Sequence, residues 1–242
     1  MVRRLIDLIL SSVALILLSP LFAVAAVGIL LSSPGPILYL AKRVGLNGKV
    51  FTMYKFRTMR VDQSSFPSCI TAKDDPRVFA FGSWLRRLKI DELPQLLNIL
   101  KGEMSIVGPR PEDPKIVGNH YAPEHFQTLS MLPGLASPGS IYDYTHGEQF
   151  LGLDDPEGHY AERLLPITLA LDTVYVREAS LIYDARIMLR TIWAILCTSL
   201  GRRHFPDPPE MKKAARLDLI LAADSPSGHV PELAGAEGSV HQ

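Results

Sequence analysis

The sequence is poor in cysteine and has no excess of charge of either sign. Its 242 residues include two cysteines, and 25 Lys and Arg balance 25 Asp and Glu. Because Cys69 and Cys197 lie far apart, neither a disulfide framework nor a zinc site is expected, and a reducing cytoplasmic environment fits. A net charge of zero removes any global argument for nucleic-acid binding, so no nucleic acid is expected as a partner. Repeats and low-complexity blocks are also absent from the sequence.

Hydrophobic residues, by contrast, are abundant. They make up 47% of the chain, and its mean hydropathy of +0.14 is high for a purely soluble protein. Residues 8–31 carry no charge, and a helix of this length would extend roughly 36 Å, enough to reach across a bilayer. A cleaved signal peptide has an apolar part of only ~7–15 residues, so this segment is expected to stay attached.

The residues around the apolar segment bear on how it meets the membrane. Arg3 and Arg4 precede it, and three cationic residues follow soon after, namely Lys42, Arg43 and Lys49. The positive-inside rule draws both ends to the cytoplasm, which one straight span does not allow. Ser19-Pro20 lies near the middle, where proline kinks a helix. From these residues alone, a re-entrant hairpin and a straight signal-anchor helix are equally supported, since transmembrane helices tolerate proline.

The chain beyond residue 36 has the pattern of a compact α+β domain. Short strands are predicted at 37–40 and 49–54, around the turn Gly45-Leu46-Asn47-Gly48, and a loop at 62–75. Residues 84–88 and 92–100 have helical apolar spacing, and the second helix has one apolar face. That face consists of Leu93, Leu96, Leu97 and Leu100. Residues 41–60 contain six Lys and Arg and no acid, which predicts a local basic surface.

An adjacent pair of acids, Asp91-Glu92, opens the second of these helices. The helix dipole and free amides stabilise anions there, and Pro94 is acceptable in a first turn. Countercharge is expected from three cations just upstream, namely Arg86, Arg87 and Lys89. One interpretation is ordinary N-capping by Asp91, with Glu92 favoured in the first turn. The other is a Mg²⁺ ion that would complete its shell with water and substrate phosphates. Arg110, in the loop Gly108-Pro109-Arg110-Pro111, presents a donor fork suited to phosphate, although a lone arginine is more often a surface residue or a structural ion pair.

Several motifs, taken in order, resemble the bacterial sugar transferase family, also called monotopic phosphoglycosyl transferases. They follow the apolar segment broken at Ser19-Pro20 and are Tyr54-Lys55-Phe56-Arg57-Thr58-Met59, Asp74-Asp75-Pro76-Arg77-Val78, Leu85-Arg86, Asp91-Glu92-Leu93-Pro94-Gln95, Asn98, Lys101-Gly102-Glu103-Met104-Ser105, Val107-Gly108-Pro109-Arg110-Pro111 and Pro133-Gly134. Leu171-Asp172, Tyr175-Val176, Ser180-Leu181, Asp184 and Ile187 look like the family's closing motif. The resemblance covers about residues 1 to 200. It implies a re-entrant hairpin held in one leaflet of the bacterial inner membrane, with the catalytic domain on the cytoplasmic face.

The resemblance also implies a reaction. Members transfer a sugar 1-phosphate from a nucleotide diphosphate sugar, usually a UDP-sugar, to a polyprenyl phosphate, commonly undecaprenyl phosphate, and so initiate membrane-linked glycan synthesis. Asp91 is then the nucleophile that forms a covalent phosphosugar, with ping-pong kinetics, and Glu92 holds Mg²⁺. The expected partners are the donor, the polyprenyl phosphate and the inner-membrane lipids. A homodimer stays open.

Other residues receive roles by motif. Lys55, Arg86 and Arg110 match positions associated with substrate phosphates. Asp172 matches a further acidic position of the active site, with a structural ion pair as the alternative. Contacts with solvent or lipid headgroups are expected for three other arginines, namely Arg57, Arg77 and Arg87.

The chain departs from the family pattern in two places. Residues 133–144 differ from the sequence of many relatives and lack a late arginine, which leaves recognition of the donor open. Lys89 stands where a small hydroxyl residue is common. His146 and Glu148 are counted with this divergent loop, where a solvated histidine is the expectation.

Three regions are expected: a membrane hairpin at 1–36, a catalytic domain at 37–203, and a partly flexible extension at 204–242. The apolar pattern of residues 185–200 predicts a helix that either lies in the membrane interface, with a tryptophan anchor, or is buried in the core. A further helix is expected within 211–222, and a flexible tail after residue 224. The rival function is a non-catalytic, membrane-anchored assembly protein, which would have no need for the acids and cations together.

Overall fold

The computed structural model describes residues 2–61, 70–71, 75–150, 155–217 and 219. Its α-helices are α1 Val2–Leu17, α2 Ser19–Ser32, α3 Ala80–Arg87, α4 Gln95–Lys101, α5 Pro114–His120, α6 Pro138–His146, α7 Pro156–His159, α8 Leu165–Glu178, α9 Leu181–Ser199 and α10 Pro209–Arg216. Its strands are β1 Leu38–Val44, β2 Val50–Phe56, β3 Ser105–Val107 and β4 Gly134–Ala136. Short 3₁₀ turns and one π-helical turn, Tyr160–Leu164, join them. The expectation of a mostly helical domain with small strands is confirmed.

The N-terminal segment is a bent helix pair. Helices α1 and α2 meet at an angle of 60°, at a break directly before Ser19-Pro20. Pro20 has no amide to donate to the carbonyl of Ile16, and the Ser19 hydroxyl donates to that oxygen instead at 2.8 Å. Within the described residues, no single helix is long and apolar enough to cross a bilayer, whereas this bent pair meets both criteria together.

The bent pair of α1 and α2, called the hairpin below, packs closely on the domain that follows it. Helix α1 lies against α4, and α2 lies against α3. Where α2 meets α3, a Cβ atom added to Gly28 would lie 2.3 Å from the Phe81 ring, so a larger residue would have to displace that ring or the helix. Asp7 is buried in α1 and accepts hydrogen bonds from the Ser105 hydroxyl and the Ile106 amide. The hairpin and the domain are therefore joined by polar contacts as well as apolar ones.

Two small sheets flank the helices. Strands β1 and β2 pair antiparallel from Leu38↔Phe56 to Val44↔Val50. The predicted turn between them is confirmed, with Asn47 and Gly48 at positive φ. Both strands run further than predicted. A parallel pair, β3 and β4, was missed by the sequence patterns because each strand has only three residues.

Helix α8 is the centre of the core. It buries nine residues and packs against α6, α10 and the 3₁₀ turn Pro123–Ser130. The apolar face predicted for residues 92–100 is wrong in part, because α4 buries Leu96 and Ile99 together with Gln95 and Asn98, while Leu97 is exposed. Asn98 lies inside because its amide group bonds to the β2 backbone, accepting from Tyr54 and donating to Thr52.

The C-terminal helices differ from their predicted bounds. Helix α9 begins at Leu181 rather than 185, because the Ser180 hydroxyl caps it by accepting from the Tyr183 amide. One side of α9 is buried at Ile187 and Ala194, as the core alternative predicts, and the other exposes apolar residues, for which the interfacial alternative stays a prediction. Helix α10 is shorter than predicted and ends at Arg216. The predicted tail after residue 224 and most of the predicted loop 62–75 lie outside the described residues.

Candidate active site

The acid pair lies in a turn between α3 and α4. Asp91 and Glu92 belong to the 3₁₀ turn Ile90–Glu92, which Lys89 enters in the left-handed conformation, at φ +56°. The expectation that Asp91 caps the helix is wrong, because α4 starts after Pro94 and no side chain caps its first turn. Asp91 is only 7% exposed. Its Oδ1 atom is buried and has no hydrogen-bond partner among the described residues.

Two lysines meet on the second acid. The Nζ atoms of Lys55, on β2, and Lys89 lie 3.2 and 3.3 Å from Oε1 of Glu92. The ion pairs are largely shielded from solvent, since the Glu92 side chain is 14% exposed. Since both lysines share one oxygen of one acid, their charge is only partly neutralised there. A phosphate group would be attracted to the positive charge that remains.

A third cation, Arg110, lies beside the lysines. Its guanidinium contacts Asp143 of α6 at 3.3 Å and Glu112 at 3.5 Å. Glu112 also accepts a hydrogen bond of 2.6 Å from the Tyr160 hydroxyl. Desolvation alone would lower the pKa of Arg110, but Asp143 and the other neighbouring acids raise it well above its ordinary value. Arg110 is therefore a permanent, oriented cation at the site.

Asp172 holds the loop that carries Arg110. Its Oδ2 atom accepts from the Arg110 amide at 2.8 Å and from the Ser137 hydroxyl at 3.2 Å, and its Oδ1 atom accepts from the Gly139 amide at 2.8 Å. Burial raises the pKa of Asp172 to about 6, against these hydrogen bonds, which lower it. No ion pair to Asp172 occurs within the described ranges, so the ion-pair alternative is not what the structure shows. The carboxylate orients backbone instead.

The remaining arginines divide between the site and the scaffold. Arg86, at the end of α3, donates to the Thr71 hydroxyl at 2.9 Å, and its charge lowers the pKa of Asp91. Headgroup or solvent contacts were expected for Arg57 and Arg77, and this is wrong because both are buried. Arg57 donates to the backbone of residues 33, 34 and 36, and Arg77 pairs with Asp75 at 2.6 Å. Arg87 donates to the Ser199 carbonyl on the surface.

Burial and neighbouring charge drive the two acids in opposite directions. Desolvation, and then the charge of Glu92, raise the pKa of Asp91. Desolvation would also raise the pKa of Glu92, but Lys89, Lys55 and Arg110 together hold it below its ordinary value. Desolvation lowers the pKa of Lys55 although both acids oppose this. The turn thus carries one firmly ionised acid and one that is more readily protonated.

Two contributors to the site, Asp143 and Tyr144, were not expected from the sequence. Lys89 was expected as countercharge to the acid pair and as a departure from the family pattern. Asp143 and Tyr144 lie at the end of the divergent segment, and Tyr144 lies under the Lys89 ammonium, 5.0 Å from ring centroid to Nζ. The one available signal was the divergence itself. His146, by contrast, stacks on Tyr142 with ring centroids 4.4 Å apart, as a scaffold residue.

The donor set suits a magnesium ion that also binds substrate. No group of three or more His, Cys, Asp or Glu side chains in the described residues could hold a metal alone. Asp91 and Glu92 are oxygen donors, and the Asp91 Oδ1 atom lacks a partner, which fits an ion held by one or two carboxylates and by phosphates. Because Lys55 and Lys89 already balance Glu92, phosphate charge would be needed alongside the ion.

The fold and the site together define a domain on a broken apolar hairpin, with a phosphate-suited cluster of cations around two acids. A family model described as bacterial sugar transferase matches residues 1–198, and the chain belongs to this family. The family consists of membrane-associated transferases, which implies a membrane location.

The names of curated relatives agree with this family. The chain is 38% identical over 196 residues to an undecaprenyl-phosphate glucose phosphotransferase of Komagataeibacter xylinus, covering 78% of this chain and 35% of the relative. It is 38% identical over 202 residues to a UDP-glucose:undecaprenyl-phosphate glucose-1-phosphate transferase of Xanthomonas campestris pv. campestris, covering 80% and 38%. It is 37% identical over 205 residues to the exopolysaccharide production protein PSS of Rhizobium leguminosarum bv. phaseoli, covering 82% and 97%. The chain thus spans little more than a third of the length of the first two.

Proposed function

We propose that the protein transfers a sugar 1-phosphate from a UDP-sugar to undecaprenyl phosphate, and so begins the synthesis of a membrane-linked glycan such as an exopolysaccharide. The observation that carries the proposal is the buried Asp91 with an unpartnered oxygen, beside Glu92 and within a cluster of cations. The names of the relatives support the substrates, since two act on undecaprenyl phosphate and one of these on UDP-glucose.

In the first step, an oxygen of Asp91 attacks the phosphorus that carries the sugar. The bond from that phosphorus to the bridging oxygen breaks, and the electron pair leaves with UMP. The product is a phosphosugar esterified to Asp91. Lys55, Lys89 and Arg110 lie around the neighbouring Glu92, where they can stabilise the charge that develops on the leaving phosphate.

In the second step, an oxygen of undecaprenyl phosphate attacks the same phosphorus. The bond to Asp91 breaks, the carboxylate is restored, and undecaprenyl diphosphate sugar is released. Dividing the transfer lets two bulky anions use one site in turn, which predicts ping-pong kinetics.

Glu92 is the residue proposed to hold Mg²⁺, with Asp91 next to it. When bound, the ion would supply charge that offsets the diphosphate. The lysines keep Glu92 ionised and therefore ready to accept a cation.

The proposed setting is the cytoplasmic face of the bacterial inner membrane, with the hairpin entering and leaving the same leaflet. Support comes from the bend before Ser19-Pro20 and from the basic residues at both ends of the apolar segment. The undecaprenyl phosphate would then reach Asp91 from the bilayer surface.

The test uses the purified full chain with Mg²⁺, undecaprenyl phosphate and a panel of UDP-sugars, with UMP release as the measurement. Asp91→Asn is expected to lower the rate by roughly 10⁶-fold, the loss found when the covalent nucleophile of a serine protease is removed. Glu162→Gln, which alters an exposed acid outside the site, serves as the matched control. With the acceptor omitted, intact mass should show a phosphosugar on the wild type and none on Asp91→Asn. Equal UMP release by Asp91→Asn would refute Asp91 as nucleophile.

A further inference from the structure

A cavity lies at the C-terminal side of the domain, partly formed by residues beyond the family match. Its volume is about 500 Å³, it is open to solvent on one side, and it is lined by residues from the start of α9, the end of α8 and the start of α10. Helix α10 lies past residue 198, where the match ends. Ala214 of α10 is fully buried against α8, in a cluster with Ala170 and Val174, so the extension is folded onto the domain at this point.

The charged groups around the cavity leave one cation unbalanced. Three basic and two acidic side chains line it, which gives one net positive charge. Arg190 pairs with Glu210 at 2.6 Å, and Lys213 pairs with Glu178. Arg186 is exposed and has no ion pair or hydrogen bond within the residues that the structure describes. The cavity therefore offers a free guanidinium, a group suited to a phosphate.

The carboxylate at the base of the cavity holds the neighbouring groups in place. Glu210 is 3% exposed and accepts from Arg190 and from the Tyr183 hydroxyl. Burial alone would raise the pKa of Glu210, but these two donors hold it below its ordinary value. Arg190 is thereby committed to Glu210, and Arg186 is left to meet a ligand.

The rim of the cavity is apolar and continues along α9. Ile182 and Leu189 line the cavity and are 69% and 68% exposed. On the same face of α9 lie further exposed apolar residues, namely Ile192, Trp193, Leu196 and Leu200. In a membrane-associated protein, such a stripe beside a cationic flank is the pattern of a helix lying in the bilayer surface.

We propose that this cavity binds the headgroup of an anionic phospholipid, with its phosphodiester on Arg186 and its acyl chains along the α9 stripe. One net positive charge complements one phosphodiester, and the apolar rim favours a lipid over a free phosphate. The site is separate from the acid pair, so it would anchor α9 and the α10 extension to the membrane without taking part in sugar transfer.

The test titrates phosphatidylglycerol into the detergent-solubilised full chain and counts bound lipid by native mass spectrometry, with phosphatidylcholine for comparison. The wild type is expected to retain phosphatidylglycerol in preference. Arg186→Gln should weaken that retention about fivefold, the effect of one cation near a lipid phosphate, and Arg186→Lys should largely restore it. Arg163→Gln, which removes an exposed arginine outside the cavity, should change nothing.

Three results would overturn the proposal: unchanged retention in Arg186→Gln, an equal loss in Arg163→Gln, or displacement of the lipid by inorganic phosphate. Leu189→Ser gives a second route, since loss of the apolar rim should weaken lipid retention as well. Thermal unfolding checks that each variant is folded. UMP release should stay at the wild-type level in Arg186→Gln and in Leu189→Ser.

Discussion

The ammonium of Lys89 lies 3.3 Å from Oε1 of Glu92, within the same turn that carries Asp91. This contact depends on the left-handed backbone at Lys89, which L-residues rarely adopt and which turns the side chain back over the acids. Lys89 is the strongest single influence lowering the pKa of Glu92, and it lowers that of Asp91 as well. A residue that departs from the family pattern thus supplies charge at the proposed catalytic turn.

Removal of that charge should shift the pH dependence of the reaction. In the proposed mechanism Asp91 attacks as the carboxylate, so activity should be lost as the pH falls through its raised pKa. In Lys89→Ser a cation that lowers this pKa is gone, and the acid limb of kcat/KM should move upward by about one pH unit. Lys89→Arg should keep the wild-type profile, and Lys49→Ser, at an exposed position, serves as control. An unmoved acid limb in Lys89→Ser would contradict this role.

The sequence patterns anticipated the parts of the fold that depend on local chemistry. The turn between β1 and β2, at residues 45–48, was predicted from its glycine and asparagine residues, which tolerate positive φ. The β3 and β4 pair could not be predicted, because three-residue strands have no periodicity and their pairing joins segments about thirty residues apart. The buried positions of Arg57 and Arg77 also escaped prediction, since a charged residue reads as exposed until its partners are known.

The sequence predicted which residues form the candidate site better than it predicted how they are arranged. The motifs placed Lys55, Arg110 and the acid pair together, and the structure brings these side chains to one turn. Asp143 was not predicted, because its contact with Arg110 depends on how α6 packs and not on any local pattern. The role of Asp172 likewise depends on three donors from distant segments.

The buried carboxylate of Asp172 should make stability depend on pH. Its pKa is about 6 in the folded protein and roughly 4 when unfolded. The folded state therefore binds more protons in that window, and stability should fall by about 3 kcal/mol as the pH rises from roughly 4 to 6. Asp172→Asn should flatten this dependence and cost about 1–3 kcal/mol at the acid end, because asparagine has one accepting oxygen, so its NH₂ group would face either the Arg110 or the Gly139 amide. Thermal unfolding at each pH, with Glu162→Gln as control, measures both effects.

The contact between Gly28 and Phe81 should limit the size of the side chain that α2 tolerates at position 28. A methyl group at Gly28 would lie 2.3 Å from the ring, so Gly28→Ala must displace the Phe81 ring or push α2 away from α3, at a cost of about 1–3 kcal/mol. Gly118, in α5, has nothing within 4 Å of an added Cβ atom. Gly118→Ala should therefore be neutral or raise stability by up to about 1 kcal/mol. Thermal unfolding of the two variants compares them directly, and equal behaviour would argue against close packing of α2 on α3.

The bend before Ser19-Pro20 leads to a prediction about both ends of the hairpin. Val2 lies at the start of the hairpin and Lys49 lies in the turn between β1 and β2, in the domain that follows the hairpin. Both are exposed, so single cysteines there can report their side of the membrane. In a background with Cys69→Ser and Cys197→Ser, a membrane-impermeant maleimide should modify Val2→Cys and Lys49→Cys in inside-out vesicles, and neither in right-side-out vesicles. The physical reason is that basic residues at both ends favour the cytoplasmic surface, and the bend allows both to stay there. Labelling of Val2→Cys from the outer side alone would mean a straight span, and the re-entrant hairpin would have to be abandoned.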